Sequence, residues 1–272
     1  MIIASRGYQT DLMLARFDGE VIVRRQYVVA RTAASPAFWW GNFVLFARAP
    51  LREDVDEWER IFAQEIGWVP GIKHRNFAWN AIDGATGETD AFTVRGYQLN
   101  QSLFLLATSV HRAPRSHSGV SIRPLHGDHD WRAALSNQHG ALARDRDTPS
   151  FREFQACQLD RYRRMVGAGL GQWFGAFLGD KLVADMGLFV DGGIGRCQAV
   201  ATAPSFRRQG ICAAMVHEVC SFGLRHMKAR EIFMMTALSS AAARVYRSVG
   251  FEDCEHVASL SFSTSSGAIS VD

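Results

Sequence analysis

Two stretches carry residue types at spacings that could do chemistry. The first runs Gln198-Ala-Val-Ala-Thr-Ala-Pro-Ser-Phe-Arg-Arg-Gln-Gly-Ile-Cys-Ala-Ala-Met215. A strand ends there at Pro204, a basic turn holds Arg207, Arg208 and Gly210, and an apolar helical pattern begins at once. Such a turn puts unpaired backbone N–H groups at a positive helix end, where a phosphate can sit. Glycine lets the backbone approach that ligand with no Cβ in the way. The second stretch is Ser239-Ser-Ala-Ala-Ala-Arg-Val-Tyr-Arg-Ser-Val-Gly-Phe251. It is Ala-rich, lacks Pro and Gly before Gly250, and reads as a short helix with Ser239 as N-cap. Tyr246 on it is a hydroxyl with a proton to give. A strand-like Glu231-Ile-Phe-Met-Met-Thr-Ala237 lies between the two.

Both stretches resemble motifs of the GNAT N-acetyltransferases. The acyl-CoA pyrophosphate loop of that superfamily reads Gln/Arg-x-x-Gly-x-Gly/Ala, and here the residues are Arg207, Arg208, Gln209, Gly210, Ile211 and Cys212, followed by Ala213. Cys212 departs from the small residue. The family closes its core with Asn-x-x-Ala-x-x-x-Tyr-x-x-x-Gly-Phe, matched by Ala242, Tyr246, Gly250 and Phe251, with Ser239 in place of the asparagine. The resemblance implies acetyl transfer from acetyl-CoA, as cosubstrate and without a metal, to a primary amine by direct attack in a ternary complex. It implies that the strand at Val200, Ala201 and Thr202 lies along the thioester and pantetheine arm, and that its backbone N–H groups stabilise the oxyanion. It gives Tyr246 the role of general acid toward the departing thiolate. No general base is assigned: Ile194-Gly-Arg-Cys-Gln-Ala-Val200 has no glutamate, and His217 and Glu218 read as structural.

Composition bounds the class. Hydrophobic content of 47% and charged content of 21% are globular values. A formal net charge of +3 with no lysine or arginine block argues against a nucleic-acid partner. No apolar run approaches the roughly 18 residues of a membrane span, and the first residues lack the apolar core of a signal peptide. Five dispersed cysteines in such a chain suggest reduced thiols in the cytoplasm. A small-molecule amine is the favoured acceptor over a protein, and oligomeric state is not legible. Two other readings stay open: a non-catalytic acyl-CoA sensor, and an aminoacyl-tRNA-dependent transferase, since some tandem GNAT-like folds do that.

The elements needed to position these residues follow in order. A strand is expected over 120–125, helices over 130–143 and 150–166 with Asp128 as a cap, and strands near 172–178, 181–190 and 194–202. Gly179-Asp180 and Asp191-Gly192-Gly193 are hairpin signals. A helix from about 208 carries Ile211, Met215, Val219 and Phe222 at core spacing. His126-Gly-Asp-His129 has metal-like spacing but reads as a loop entering a helix. Gly167-Ala-Gly-Leu-Gly171 follows a helix and precedes a strand, the reverse of a dinucleotide turn. Cys212 at a helix start could have a lowered thiol pKa, although packing is the blander reading.

The first half echoes the second. Arg95-Gly-Tyr97 and Val249-Gly-Phe251 each lead into a strand, Trp40 to Phe46 resembles the central strand, and Asp54 to Ile66 resembles the helix after it. The intervening Ala49-Pro-Leu-Arg-Glu-Asp-Val55 has no glycine and carries acids, and Phe92 stands where the second half has Tyr246. The expected fold class is therefore α/β (α+β), with two GNAT-like domains, each a mixed, mostly antiparallel sheet flanked by helices. Residues 1–112 form a degenerate domain, 113–119 a linker and 120–272 the catalytic domain. An unrelated α+β domain is the alternative for the first half. Phe38, Trp39, Trp40 and Trp58 are expected in the core or between the halves.

Overall fold

The computed structural model describes residues 1–115, 117, 119–142 and 147–263. Ser116 and Ser118 of the expected linker, residue 143 of an expected helix and everything after 263 lie outside the described residues. In chain order the elements are α1 (Arg6–Ala15), β1 (Glu20–Val23), β2 (Tyr27–Arg31), β3 (Asn42–Phe46), α2 (Val55–Glu65), β4 (His74–Trp79), α3 (Asp90–Val94) and β5 (Gln98–Ala107). There follow β6 (Ser121–Pro124), α4 (Gly127–Ala141), α5 (Pro149–Gly167), β7 (Gly171–Leu178), β8 (Lys181–Asp191) and β9 (Ile194–Thr202). The described residues end with α6 (Ile211–His226), β10 (Glu231–Ala237), α7 (Ala241–Arg247) and β11 (Glu252–Ser263).

The chain divides into two compact units, residues 1–104 with 235–238 and 254–272, and residues 105–234 with 239–253. These units are not contiguous in sequence, unlike a division at residues 113–119. The reason is β11, whose Ser259 to Ser263 pair antiparallel with His74 to Ala78 of β4. Its Val257, Ala258 and Leu260 are buried in the first unit's core. Glu255 fastens the same strand by accepting from Ser5 Oγ (2.6 Å), Arg6 N (2.7 Å) and Gly7 N (3.2 Å) at the start of α1.

In the first unit the strand order is β1-β2-β3-β4-β11-β5. The β1/β2 and β2/β3 pairs are antiparallel and β3/β4 is parallel, with α2 as the crossover. β2 and β3 read as near-continuous apolar runs because both faces are covered. Val29, Val44 and Phe46 face Trp58 and Phe62 of α2, and Phe92 of α3 completes the cluster. Val28, Ala30, Phe43 and Leu45 face the other way, onto Tyr8 and Leu12 of α1. Trp58 stacks on Phe46 with centroids 3.8 Å apart, Trp39 stacks on His74 and Trp40 packs edge-on to Phe43, so these aromatics are core of the first unit.

The second unit has the order β6-β7-β8-β9-β10, antiparallel up to β9 and parallel between β9 and β10, with α6 as the crossover. The hairpin signals fall at its turns, where Gly179 has φ +58° and Gly192 and Gly193 have φ +57° and +87°. Thr148 caps α5 by accepting from Phe151 N, with Pro149 at the first helical position. His126, not Asp128, occupies the α4 N-cap position, and buried Asp130 accepts its N–H at 2.8 Å. Each unit is thus a mixed, mostly antiparallel sheet flanked by helices. The order β1-β2-β3-α2-β4-α3-β5 recurs as β7-β8-β9-α6-β10-α7-β11.

Candidate functional site

The site grows from an irregularity in β9. Asp185 of β8 pairs with Ala201, and Gly187 pairs with Gln198. Ala199 and Val200 therefore stand opposite the single residue Met186, which is a β-bulge. Ala199 takes φ +48°, a conformation L-residues seldom adopt, and it is exposed. A bulge takes backbone groups out of the ladder, and of the stretch singled out in the sequence it touches Val200, while Ala201 and Thr202 stay paired with Asp185 and Ala184 of β8. The register with β10 runs only from Ile194 to Arg196.

Beyond β9 the chain turns through Pro204–Phe206 into α6. Gly210 is the N-cap at φ +78°, and no side chain among the described residues caps the helix. A Cβ there would come within 2.5 Å of the Arg115 carbonyl oxygen, so both its φ and its surroundings require glycine. The first N–H groups of α6 thus keep the anion-binding character expected of the turn. The two arginines separate in role. Arg207 donates from Nε to the Thr202 carbonyl (3.1 Å) and from NH2 to the Ala141 carbonyl at the end of α4 (2.7 Å). Arg208, at φ +62°, is exposed and has no side-chain partner among the described residues. Gln209 folds back onto the Ser205 carbonyl. Ile211 and Ala213 are buried core residues.

Tyr246 on α7 is 5% exposed. Burial pushes its hydroxyl well above the ordinary tyrosine value, with Cys212, Cys197 and Cys220 adding to the effect, so it holds its proton. Cys212 itself is pushed up to about 11 by burial, which a hydrogen bond to Thr202 only partly offsets. The thiol is thus raised and not lowered, because desolvation outweighs its hydrogen bond. Thr202, Cys212 and Tyr246 are thereby brought together. Ser239 lies exposed in the preceding turn, and the cap of α7 is Ser240, whose Oγ accepts from Ala242 N at 3.1 Å. His217 and Glu218 are occupied with each other (3.3 Å) and with Arg112 (3.4 Å). Among the described residues no group of three or more His, Cys, Asp or Glu could hold a metal, and no helix is long and apolar enough to cross a membrane.

Sequence reasoning missed a cluster beside the bulge. Asp185 is fully buried and accepts from Asn137 Nδ2 (2.5 Å), Gln138 Nε2 (2.8 Å) and Trp173 Nε1 (2.8 Å). Burial raises its carboxyl to about 7 despite those three donors. The available signal was one acid in the apolar run Leu182-Val-Ala-Asp-Met-Gly-Leu-Phe-Val190, a placement that demands partners.

The description "Acetyltransferase (GNAT) domain" matches residues 169–253. No curated protein matches the sequence. Among solved structures, a conserved protein of unknown function from Staphylococcus epidermidis is 13% identical, over 90% of this chain and 94% of that one, with a TM-score of 0.68. A GCN5-related N-acetyltransferase from Kribbella flavida is 15% identical over 97% of both chains, with a TM-score of 0.60. A tandem GNAT protein from the clavulanic acid biosynthesis pathway is 10% identical over 98% of this chain and 91% of that one, with a TM-score of 0.55. At these identities the likeness is one of fold, and it extends over nearly the whole length. Residues 169–253 are therefore similar to a GNAT acetyltransferase domain, within a chain whose fold resembles that of a tandem GNAT protein.

Proposed function

We propose that the second unit transfers an acetyl group from acetyl-CoA to a primary amine of a small molecule, by direct attack within a ternary complex. The observation that carries this reading is the bulged β9, with Ala199 at φ +48°, running into an α6 start that no side chain caps. The fit to a CoA pyrophosphate is chemical: helix-start N–H groups with no side-chain cap, a glycine at the cap and one exposed arginine, Arg208, with no side-chain partner among the described residues. Arg207 shapes the turn, and Gln209, Ile211 and Ala213 contribute backbone and packing.

Acetyl-CoA supplies the activated thioester on which the amine acts. The amides of Val200 to Thr202 are the groups that can hold the acyl oxygen as charge grows on it, an interaction of about 3–4 kcal/mol per donor. Tyr246 keeps its proton at working pH and can donate it, or a hydrogen bond, to a departing thiolate whose own acid has a pKa of about 8.5. The mild charge supports neither nucleic acid nor membrane as a partner. The test pairs thermal melting with and without acetyl-CoA with an assay of thiol release over a panel of amines. Ligand at a hundredfold excess over its Kd stabilises by about 2.7 kcal/mol, a rise of several degrees. No shift would defeat the reading. A shift without thiol release from any amine would leave a non-catalytic acyl-CoA sensor instead.

A further inference from the structure

The buried Asp185 cluster has no place in the chemistry above, yet it is joined to the bulge of β9. Gln138 Nε2 donates both to Asp185 Oδ2 (2.8 Å) and to the carbonyl of Ala199 (2.7 Å), the residue at φ +48°. Asn137 Nδ2 donates to Asp185 Oδ1 and reaches the Ala201 carbonyl at 3.5 Å. An amide that faces a carboxylate and a carbonyl together must present its NH2 group, because its oxygen would meet two acceptors. The carboxylate therefore dictates the orientation of both amides, and the amides hold the carbonyls on either side of Val200. Trp173 Nε1 fixes the carboxylate from β7.

A second observation points the same way. Asn137 is 7% exposed, and its Oδ1 is buried with no hydrogen-bond partner among the described residues. Turning the amide over would satisfy nothing, since its oxygen would then lie against the Asp185 carboxylate. The cluster is arranged around the bulge carbonyls and leaves one of its own acceptors unsatisfied to do so.

We propose that Asp185 is a positioning residue for acyl transfer, acting through Asn137 and Gln138 to hold the Ala199–Ala201 backbone in the conformation that presents its amides to the acyl carbonyl. This rests on the acetyl-CoA reading above. Asp185 touches neither substrate nor reacting atoms. Its effect falls on the recognition of the acetyl group and on turnover, and leaves the binding of the CoA phosphates to the α6 start.

The experiment compares the affinities of acetyl-CoA and free CoA, which differ by the acyl carbonyl the bulge would hold. Wild type, Asp185→Asn and Gln138→Met are titrated with each, beside Val219→Ala, a core change on α6 that controls for lost stability. The expected result is a preference for acetyl-CoA in wild type and in Val219→Ala that falls at least fivefold in both cluster variants, while the Kd for free CoA moves less than twofold. Faster amide hydrogen exchange at residues 199–201 in the unliganded Gln138→Met protein is expected alongside, and this variant carries the test if Asp185→Asn does not fold. An unchanged acetyl-CoA preference in a folded cluster variant would overturn the positioning role alone. Wild type that binds neither ligand would overturn the acetyl-CoA reading and this inference with it.

Discussion

Two helix starts occupy the same place in the two repeats, and they have been built to opposite ends. After β3, which pairs with β2 over five consecutive residues without a shift and with β4 to its last residue, Phe46, the chain enters α2 past Asp54. That carboxylate accepts from Leu51 N (2.7 Å) and from the Arg48 guanidinium (2.6 Å) in the turn leading into α2, so the first unit places an anion of its own at the entry to a helix that, like α6, has no side-chain cap among the described residues. After β9, which is bulged and pairs with β10 only near its beginning, α6 opens behind Gly210 with no side-chain cap. Phe92 lies fully buried in the first unit where the second has Tyr246. One topology thus recurs with two different helix entries, one carrying an anion of its own and one that, under the proposed function, offers backbone groups and a hydroxyl to acetyl-CoA.

The comparison can be broken at several points. The largest effect is expected from Tyr246→Phe, which should lower kcat by about 10²–10⁴ at unchanged acetyl-CoA affinity; steady-state thiol release reads it, and an unchanged kcat would make Tyr246 a packing residue. Its counterpart Phe92→Ala should act on stability alone, by about 3–5 kcal/mol in chemical denaturation, because it empties a space among Trp58, Phe77 and Tyr97.

Asp185 gives a pH signature of a few kcal/mol. Its folded pKa of about 7 stands above the ordinary carboxylate value. Ionisation therefore opposes folding. The penalty is absent below about pH 4, grows as pH rises and levels off above about pH 7. Asp185→Asn should flatten that part of the stability profile, and a parallel profile would show that the carboxylate is not the source. Asp54 has the opposite sign. Burial raises its pKa, but Arg48 and the Leu51 N–H outweigh that and hold it below the ordinary value. Its contribution to stability is present at neutral pH and is lost as pH falls through the folded value, so Asp54→Ala should cost about 1–3 kcal/mol at pH 7 and less at pH 3.

The smallest change is a charge reversal at the surface. Arg208→Glu should weaken acetyl-CoA binding by roughly tenfold or more, the worth of one charge-assisted contact. Arg48→Glu should leave the affinity alone. Equal effects from the two would remove the distinction between the helix starts. Gly210 is unsuited to this purpose, since its φ of +78° and the nearby Arg115 carbonyl make any side chain there a folding defect.

Local chemistry was legible in the sequence where one residue type decides it. Gly210, the proline before it and the apolar spacing of α6 announced the helix start, and the acidic, glycine-free turn at 49–55 announced its closed counterpart. What depends on pairing across strands was not legible. The bulge at Ala199 has no glycine to mark it and exists because β8 offers Met186 alone against two residues of β9. The placement of β11 in the first unit is decided by its register on β4, which its own alternation does not reveal. Ser239 and Ser240 are equivalent as letters, and only the backbone shows that Ser240 caps α7. Arg207 and Arg208 are likewise equivalent in the motif, until Arg207 is seen tied to Thr202 and Ala141.

The most direct test of the contrast between the two helix starts is amide hydrogen exchange on the full chain with and without saturating acetyl-CoA. The account predicts new protection at residues 199–202 and 208–214 and none at 44–58. Protection at 44–58, or none at either place, would contradict it.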